Sequence, residues 1–286
     1  MSVLSFEGFV LNEGGKVFKH ETRRVSATEA RATAEHLKKV LFPKLGLNDG
    51  GDIIQVGSSS VGKDAGDIDF AYDIQEMRTR LGSEDAERRF FDRLRMETGY
   101  KAELIKGFGI TSLEYPIAGE KDKGYVQVDF IPVEGMAWAK FTYEQPKHSK
   151  YKSAHRNWLF AAMCAARKED VKEVEGETLA WTGYMFDIQR GFFKIRKTRE
   201  GTMPGKILKN PKKEESTLIS TNPEKFIEFA FTEEPEVSEL ASFEDVWRII
   251  INDPKWKSIV KTIAKELEKF LVRAELVVPD EIKEFL

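Results

Sequence analysis

The 286-residue chain contains a single cysteine and only four histidines. One thiol excludes an intrachain disulfide framework and any cysteine-based zinc cluster, and so few imidazoles argue against a histidine-rich metal site. Cys164 lies in Ala161-Ala162-Met163-Cys164-Ala165-Ala166, where it reads as a small buried apolar residue. No apolar run reaches the roughly 18 residues that a membrane span needs. The first seven residues do not join a basic segment to an apolar one, so no signal peptide is expected and the reducing cytoplasm is the expected compartment. Charge of one sign is also lacking. With Lys plus Arg at 45 and Asp plus Glu at 48, the net charge is −3, which excludes a uniformly basic nucleic-acid coat but leaves room for a local basic patch. Repeats and low-complexity tracts are absent.

What is present suits a soluble globular protein of one large or two small domains, at about 100–200 residues each. Residues 27–42 carry apolar side chains at Ala34, Leu37, Val40 and Leu41, a helical spacing that Pro43 and Gly46 close. Residues 52–56 form a short apolar run between Gly51 and Gly57, predicting a buried strand. A turn rich in Ser and Gly follows, and residues 67–74 then alternate polar and apolar, as a half-buried strand does. A charged helix over 84–97 places Phe90, Phe91 and Leu94 on one face. One or two strands are predicted within 101–115, and another over 125–132 that Pro132 should end. Beyond it come a long helix near 151–168, a strand or hairpin near 184–197, and helices near 223–231, 242–251 and 255–272. The change of character places a domain boundary near residue 148, dividing 1–148 from 149–286.

The turn between the two early strands is where chemistry becomes arguable. Asp67 and Asp69 are two residues apart on a predicted strand, so both carboxylates leave the same face. Two adjacent acids repel unless a cation or a proton lies between them. Asp129 sits on a second predicted strand between Val128 and Phe130. If the two strands are neighbours, three carboxylates converge, a set of hard oxygen ligands suited to Mg²⁺ or Mn²⁺ and to phosphate chemistry. The small residues of the preceding turn offer backbone N–H groups and hydroxyls that can wrap a triphosphate. Gly57-x-x-x-x-Gly62-Lys63 also opens like a Walker phosphate loop. That motif needs Ser or Thr next and a helix after it, whereas Asp64, Gly66 and a strand follow here, so the Walker reading fails.

The pattern Gly-Ser-x-x-x-Gly-x-x-x-Gly-Asp-x-Asp, carried by Gly57, Ser58, Gly62, Gly66, Asp67 and Asp69, resembles the signature of the DNA polymerase beta-like nucleotidyltransferase superfamily. Val128-Asp129-Phe130 resembles the context of that family's third acid. The layout matches over about residues 27–165, the specific motif only over 57–70 and 126–132. The resemblance implies an α+β fold: a polymerase beta-like nucleotidyltransferase core, a mixed sheet with flanking helices over 1–148, followed by a helical/β C-terminal domain over 149–286 that binds nucleotide or nucleic acid. It also implies two Mg²⁺ (or Mn²⁺) ions about 3.5–4 Å apart, one held by Asp67 and Asp69 on the triphosphate and a second by all three acids beside the attacking hydroxyl. An acceptor hydroxyl then attacks the α-phosphorus of a nucleoside triphosphate and expels pyrophosphate, with Asp129 the candidate to take the proton.

Ser58 is the expected partner of the β- or γ-phosphate, with N–H groups near Gly57 and Gly66 lining the turn. Family polymerases often carry Arg between the Gly-Ser pair and the second Gly. This chain has Ser59, Ser60 and Val61 there, so Lys63 is the candidate to supply that charge. Lys147, His148, Lys150, Lys152, His155 and Arg156 crowd the start of the helix after the third acid, and Lys152 and Arg156, one turn apart, are candidate nucleotide contacts unless this is an ordinary basic helix end. Residues 194–213 hold eight bases, Lys194, Arg196, Lys197, Arg199, Lys206, Lys209, Lys212 and Lys213, against the one acid Glu200, just after Phe192 and Phe193. Cations beside aromatics suit a nucleic-acid track, and a charged loop is the alternative.

The expected activity is therefore metal-dependent nucleotidyl transfer to a nucleic-acid 3′ end, with RNA (tRNA in particular) ahead of DNA. ATP or another NTP is the donor, and no membrane is involved. Transfer to a protein or small molecule, second-messenger synthesis and templated DNA synthesis are the alternatives; the last lacks a helix-hairpin-helix segment in the roughly 50 residues before the turn. A non-catalytic binding module built on a decayed catalytic fold is the reading from another class. Oligomeric state is not legible.

Overall fold

The computed structural model describes residues 17–286 except 19–20, 83–84, 106, 147–148, 175–176, 200–201, 204–205 and 208–211. These residues fall into two compact units that divide between His148 and Ser149.

The first unit opens with α1 (Ala27–Val40). Ser26 caps it reciprocally: its Oγ accepts from Glu29 N at 3.3 Å, and the Glu29 carboxylate accepts from Ser26 N at 2.9 Å. Ala30, Ala34, Leu37 and Leu41 are buried along one stripe, while Val40 turns outward and is 38% exposed, since Leu41 takes the inward place one residue on. A short α2 (Phe42–Leu45) leads to β1 (Ile53–Val56), a one-turn helix α3 (Gly57–Ser60) and β2 (Asp67–Asp73). β2 stops one residue earlier than its alternation suggests because Asp73 caps α4 (Ile74–Leu81), accepting from Gln75 N at 2.9 Å and Glu76 N at 3.2 Å. Then come α5 (Ala86–Thr98), β3 (Ala102–Ile105), β4 (Ile110–Pro116), β5 (Tyr125–Val133) and α6 (Met136–Tyr143).

The strands form one mixed sheet in the order β1-β2-β5-β4-β3, in which only β2 and β5 run parallel. One face is mostly apolar. Phe70 stacks on Phe130 at 5.9 Å between ring centres, Phe42 meets Phe70 edge-on at 5.1 Å, and Phe90 of α5 lies 4.5 Å from Tyr72. Phe91 and Leu94 join Phe90 in the interior, as the charged helix's one apolar face requires. The opposite face is divided along the strands. Its later half, with Ala71, Ile131 and Val133, packs on Ala139 of α6. Its earlier half carries Asp67, Asp69, Gln127 and Asp129, alternating with the buried Ile68 and Val128. Pro132 does not end β5; it pairs with Tyr72 of β2, beyond the last residue that β4 matches.

The second unit starts with α7 (Ser153–Ala166), buried around almost its whole circumference. Cys164 is buried there, which pushes its thiol pKa far up. β6 (Lys168–Val174), β7 (Glu177–Asp187) and β8 (Gly191–Arg199) follow, with the two-residue strands β9 (Thr202–Met203) and β10 (Lys206–Ile207) and then β11 (Lys212–Ser220). The long strands form an antiparallel sheet in the order β11-β8-β7-β6. α8 (Pro223–Ala230), α9 (Phe243–Asn252), α10 (Val260–Arg273) and α11 (Asp280–Lys283) complete the unit. Phe160, Phe186, Phe192 and Phe226 form its aromatic centre, with ring centres 4.8–5.5 Å apart. No helix among the described residues is long and apolar enough to cross a membrane.

Candidate metal centre

Two strand registers build the centre. β2 and β5 run side by side with Asp69 directly beside Asp129 and Asp67 beside Gln127. Residues in register on neighbouring strands share a face, so the parallel pairing alone brings the third acid to the first two. One carboxylate oxygen from each of Asp67, Asp69 and Asp129 lies within 4.8 Å of the others, the one such group among the described residues.

The turn that precedes β2 is shaped to this cluster. Gly57 follows β1 with φ +71°, a left-handed conformation that side chains disfavour, and a Cβ there would strike Asp69 Oδ2. The N–H and C=O of Ala65 exchange hydrogen bonds with Val25 at 3.0 and 2.9 Å, and the Asp64 carboxylate accepts from Ala27 N at 3.0 Å. The end of the loop nearest β2 is thus tied to the entry of α1, which sets the starting point of β2. Ser58 is half-buried on α3, and Lys63 and Gly62 are exposed on the loop, Gly66 half-buried. The sequence reads this stretch as a tight turn; the structure makes its first half a helical turn, with Ser60 Oγ donating to Gly57 O at 2.7 Å.

The electrostatics are those of crowded carboxylates, a group that could hold a cation. Burial, then Asp67 and Asp129, drives the Asp69 pKa well above the ordinary carboxylate value. Burial and Asp67 push Asp129 up to about 7, with Ser112 and Gln127 pulling the other way. Ser112 stands across from Asp129 on β4. Gln127 lies two residues before it on the same face, its amide Nε2 at 3.0 and 2.9 Å from the two carboxylate oxygens. Neither Ser112 nor Gln127 was among the sequence candidates. The signal for Gln127 was there, since a polar residue at i−2 from a strand acid shares its face, but only the register with β4 identifies Ser112.

The remaining candidates lie in the second unit. Lys152 is exposed just ahead of α7. Arg156 is 1% exposed, and its Nη1 donates to Leu240 O at 3.2 Å and Ala241 O at 2.9 Å. The shared basic face expected of this pair does not form, because four residues on from Lys152 the helix points into the unit's own core. His155 is also buried, with Nε2 3.1 Å from Val277 O, and Lys150 pairs with Glu281 at 2.7 Å. Lys147 and His148 lie outside the described residues.

The basic stretch is carried by strands. Lys194 and Arg196 are exposed on β8, whereas Lys197 pairs with Glu214 at 2.7 Å. Phe192 and Phe193 do not offer rings for stacking: they are 2% and 8% exposed. β8 is one of the two inner strands of its sheet, and its aromatics serve the core. The side chains of 199–213, with Arg199, Lys206, Lys209, Lys212 and Lys213, lie outside the described residues.

No family model matches this chain, and no curated protein sequence matches it. Among solved structures, the ternary P/T complex of Leishmania infantum polymerase beta aligns over 62% of this chain and 60% of that one, at 16% identity and a TM-score of 0.38. The match thus spans less than two thirds of that polymerase chain.

Proposed function

We propose that the chain is a metal-dependent nucleotidyltransferase that moves a nucleoside monophosphate from an NTP to an acceptor hydroxyl, with RNA 3′ ends the first acceptor to test. The observation that carries this reading is the parallel register of Asp69 with Asp129, which gathers three carboxylates at the end of a Gly57-Ser58 turn.

The residues fit a divalent cation. Three hard oxygen donors converge, and the raised pKa values of Asp69 and Asp129 reflect buried charge that no basic side chain among their named neighbours offsets. Asp67, Asp69 and Asp129 would hold Mg²⁺ or Mn²⁺. Such ions neutralise phosphate charge and make a hydroxyl more acidic.

The chain's own groups then have separable roles. Gly57 keeps the turn close to Asp69, so a triphosphate lying along Ser58 meets main chain rather than a side chain. Lys63, exposed on the loop, contributes a cation for the phosphates. The acceptor oxygen bonds to the α-phosphorus while the bond from that phosphorus to pyrophosphate breaks, and the hydroxyl proton passes to Asp129 or to water. Positioning of the two reactants supplies much of the acceleration, since an intramolecular arrangement removes most of the entropic barrier. In this reading residues 1–148 perform the chemistry in the cytoplasm and 149–286 take part in binding nucleotide or acceptor, with exposed Lys152, Lys194 and Arg196 as contacts.

The test is incorporation. The chain is incubated with Mg²⁺, each labelled NTP or dNTP, and tRNA, single-stranded RNA or primed DNA, with Asp69→Asn as the blank. Label entering RNA without a template is the expected result. Template-directed extension of DNA, or pyrophosphate release with no labelled polymer, would reassign the acceptor to DNA or to a small molecule or protein. Neither product with Mg²⁺ or Mn²⁺ would end the catalytic reading.

A further inference from the structure

We infer that Gln127 is a positioning residue that sets the carboxylate of Asp129 for cation binding. Gln127 is 2% exposed, a neutral amide on the polar half of the sheet face. Its two sheet neighbours in register are both acids, Asp67 on β2 and Glu114 on β4. Its Nε2 reaches both oxygens of Asp129 at 2.9 and 3.0 Å, and its Oε1 accepts from Val17 N at 3.1 Å. The main-chain donor therefore decides which end of the amide faces the acid: carbonyl to Val17, nitrogen to Asp129.

This arrangement does what neither a charged nor an apolar residue could do there. A carboxylate has about four lone-pair sites, so an amide on one side leaves the others for a cation. A Lys or Arg at 127 would neutralise the acid and compete with the cation for it. A Leu or Met would leave Asp129 free to turn about its side-chain torsions. A neutral donor fixes the plane and keeps the charge, as groups behind metal ligands commonly do.

The inference about rate rests on the nucleotidyl-transfer reading; the inference about cation binding does not. The test uses the full chain with Gln127→Met, which removes the donor at similar size, and Gln127→Glu, which replaces it by a carboxylate that still accepts from Val17 N. Mn²⁺ binding without nucleotide is followed by electron paramagnetic resonance, kcat and KM for NTP by incorporation, and folding by thermal melting. Gln127→Met should weaken Mn²⁺ binding about 10- to 100-fold and lower kcat by a similar factor. KM for NTP should stay within about threefold, because Asp67, Asp69 and the turn are untouched. Gln127→Glu should keep Mn²⁺ affinity through its added carboxylate yet lose kcat, a divergence that general loss of structure does not produce. Mn²⁺ affinity within about twofold of the parent in Gln127→Met, a parent that binds no Mn²⁺, or kcat retained by Gln127→Glu would overturn the assignment. A parent that binds Mn²⁺ but transfers no nucleotide would remove the function while leaving the role of Gln127 to the Mn²⁺ comparison.

Discussion

Gly57 and Asp69 occupy space that only one of them can fill: a Cβ on Gly57 would strike Asp69 Oδ2 and lie 3.3 Å from its Cγ. The glycine at the end of β1 and the acid inside β2 are therefore one structural unit. Val56 pairs with Asp69 across the two strands, so the main chain passes close to the carboxylate as it leaves the sheet.

Gly57→Ala should consequently act on the site before it acts on the fold. The new methyl must push Asp69 aside or change the +71° torsion, and misplacement of a reacting group by about 1 Å can cost on the order of 100-fold. Nucleotide incorporation should fall about 100-fold while the melting temperature moves by only a few degrees. A variant of unchanged rate would show that the approach has no bearing on catalysis.

Asp67→Asn, Asp69→Asn and Asp129→Asn should each lower incorporation by about 100-fold or more, since each removes charge where the transition state is most demanding. Binding of nucleic acid, measured by fluorescence anisotropy, should persist in all three. Loss of binding in step with turnover would point to a different role for the acids.

In EDTA the acid cluster should contribute most to stability when it is protonated. The Asp129 pKa is raised in the folded chain, to about 7, above its unfolded value of roughly 4. The sign follows: the native state holds this proton more tightly, so its contribution is present below about pH 4 and is lost as pH rises through 7. Asp69 shifts in the same direction. Thermal melting in EDTA should show the cluster's contribution falling between pH 5 and pH 8, with Mg²⁺ raising the melting temperature most at pH 8. Asp129→Asn should flatten that slope, and a slope equal to the parent's would exclude Asp129 as its source.

Arg156→Ala should be a stability variant. It leaves Leu240 O and Ala241 O without the buried guanidinium, a loss on the order of 1–3 kcal/mol. Chemical denaturation should read that loss, while nucleotide affinity should change less than twofold. A selective loss of affinity at intact stability would restore Arg156 to the ligand contacts expected of it.

Much of the first unit was legible because its signals are local. The period-two alternation of β2 and β5, the apolar stripe of α1 and the Phe90, Phe91, Leu94 face of α5 all follow from residues a few positions apart. The acids were legible for the same reason: Asp67 and Asp69 declare a shared face by their spacing, and the pattern from Gly57 to Asp69 is contiguous. α4 and α6 were missed because each is short and follows a strand whose apolar run conceals the change of period.

Burial was the weaker inference wherever a polar or aromatic residue stood near a charge run. Arg156 belongs to a basic segment in sequence and to the core in space; Phe192 and Phe193 precede a basic stretch but lie on an inner strand. Helical and strand spacing state which residues share a face, not what covers that face. The sequence by itself picked out Asp67, Asp69 and Asp129 as hard oxygen donors and Gly57 as part of the turn before them. Tertiary structure alone decided that Asp129 meets Asp69, that Gln127 holds Asp129 and that Arg156 is inaccessible, because pairing register and the packing of one element on another depend on residues tens of positions apart.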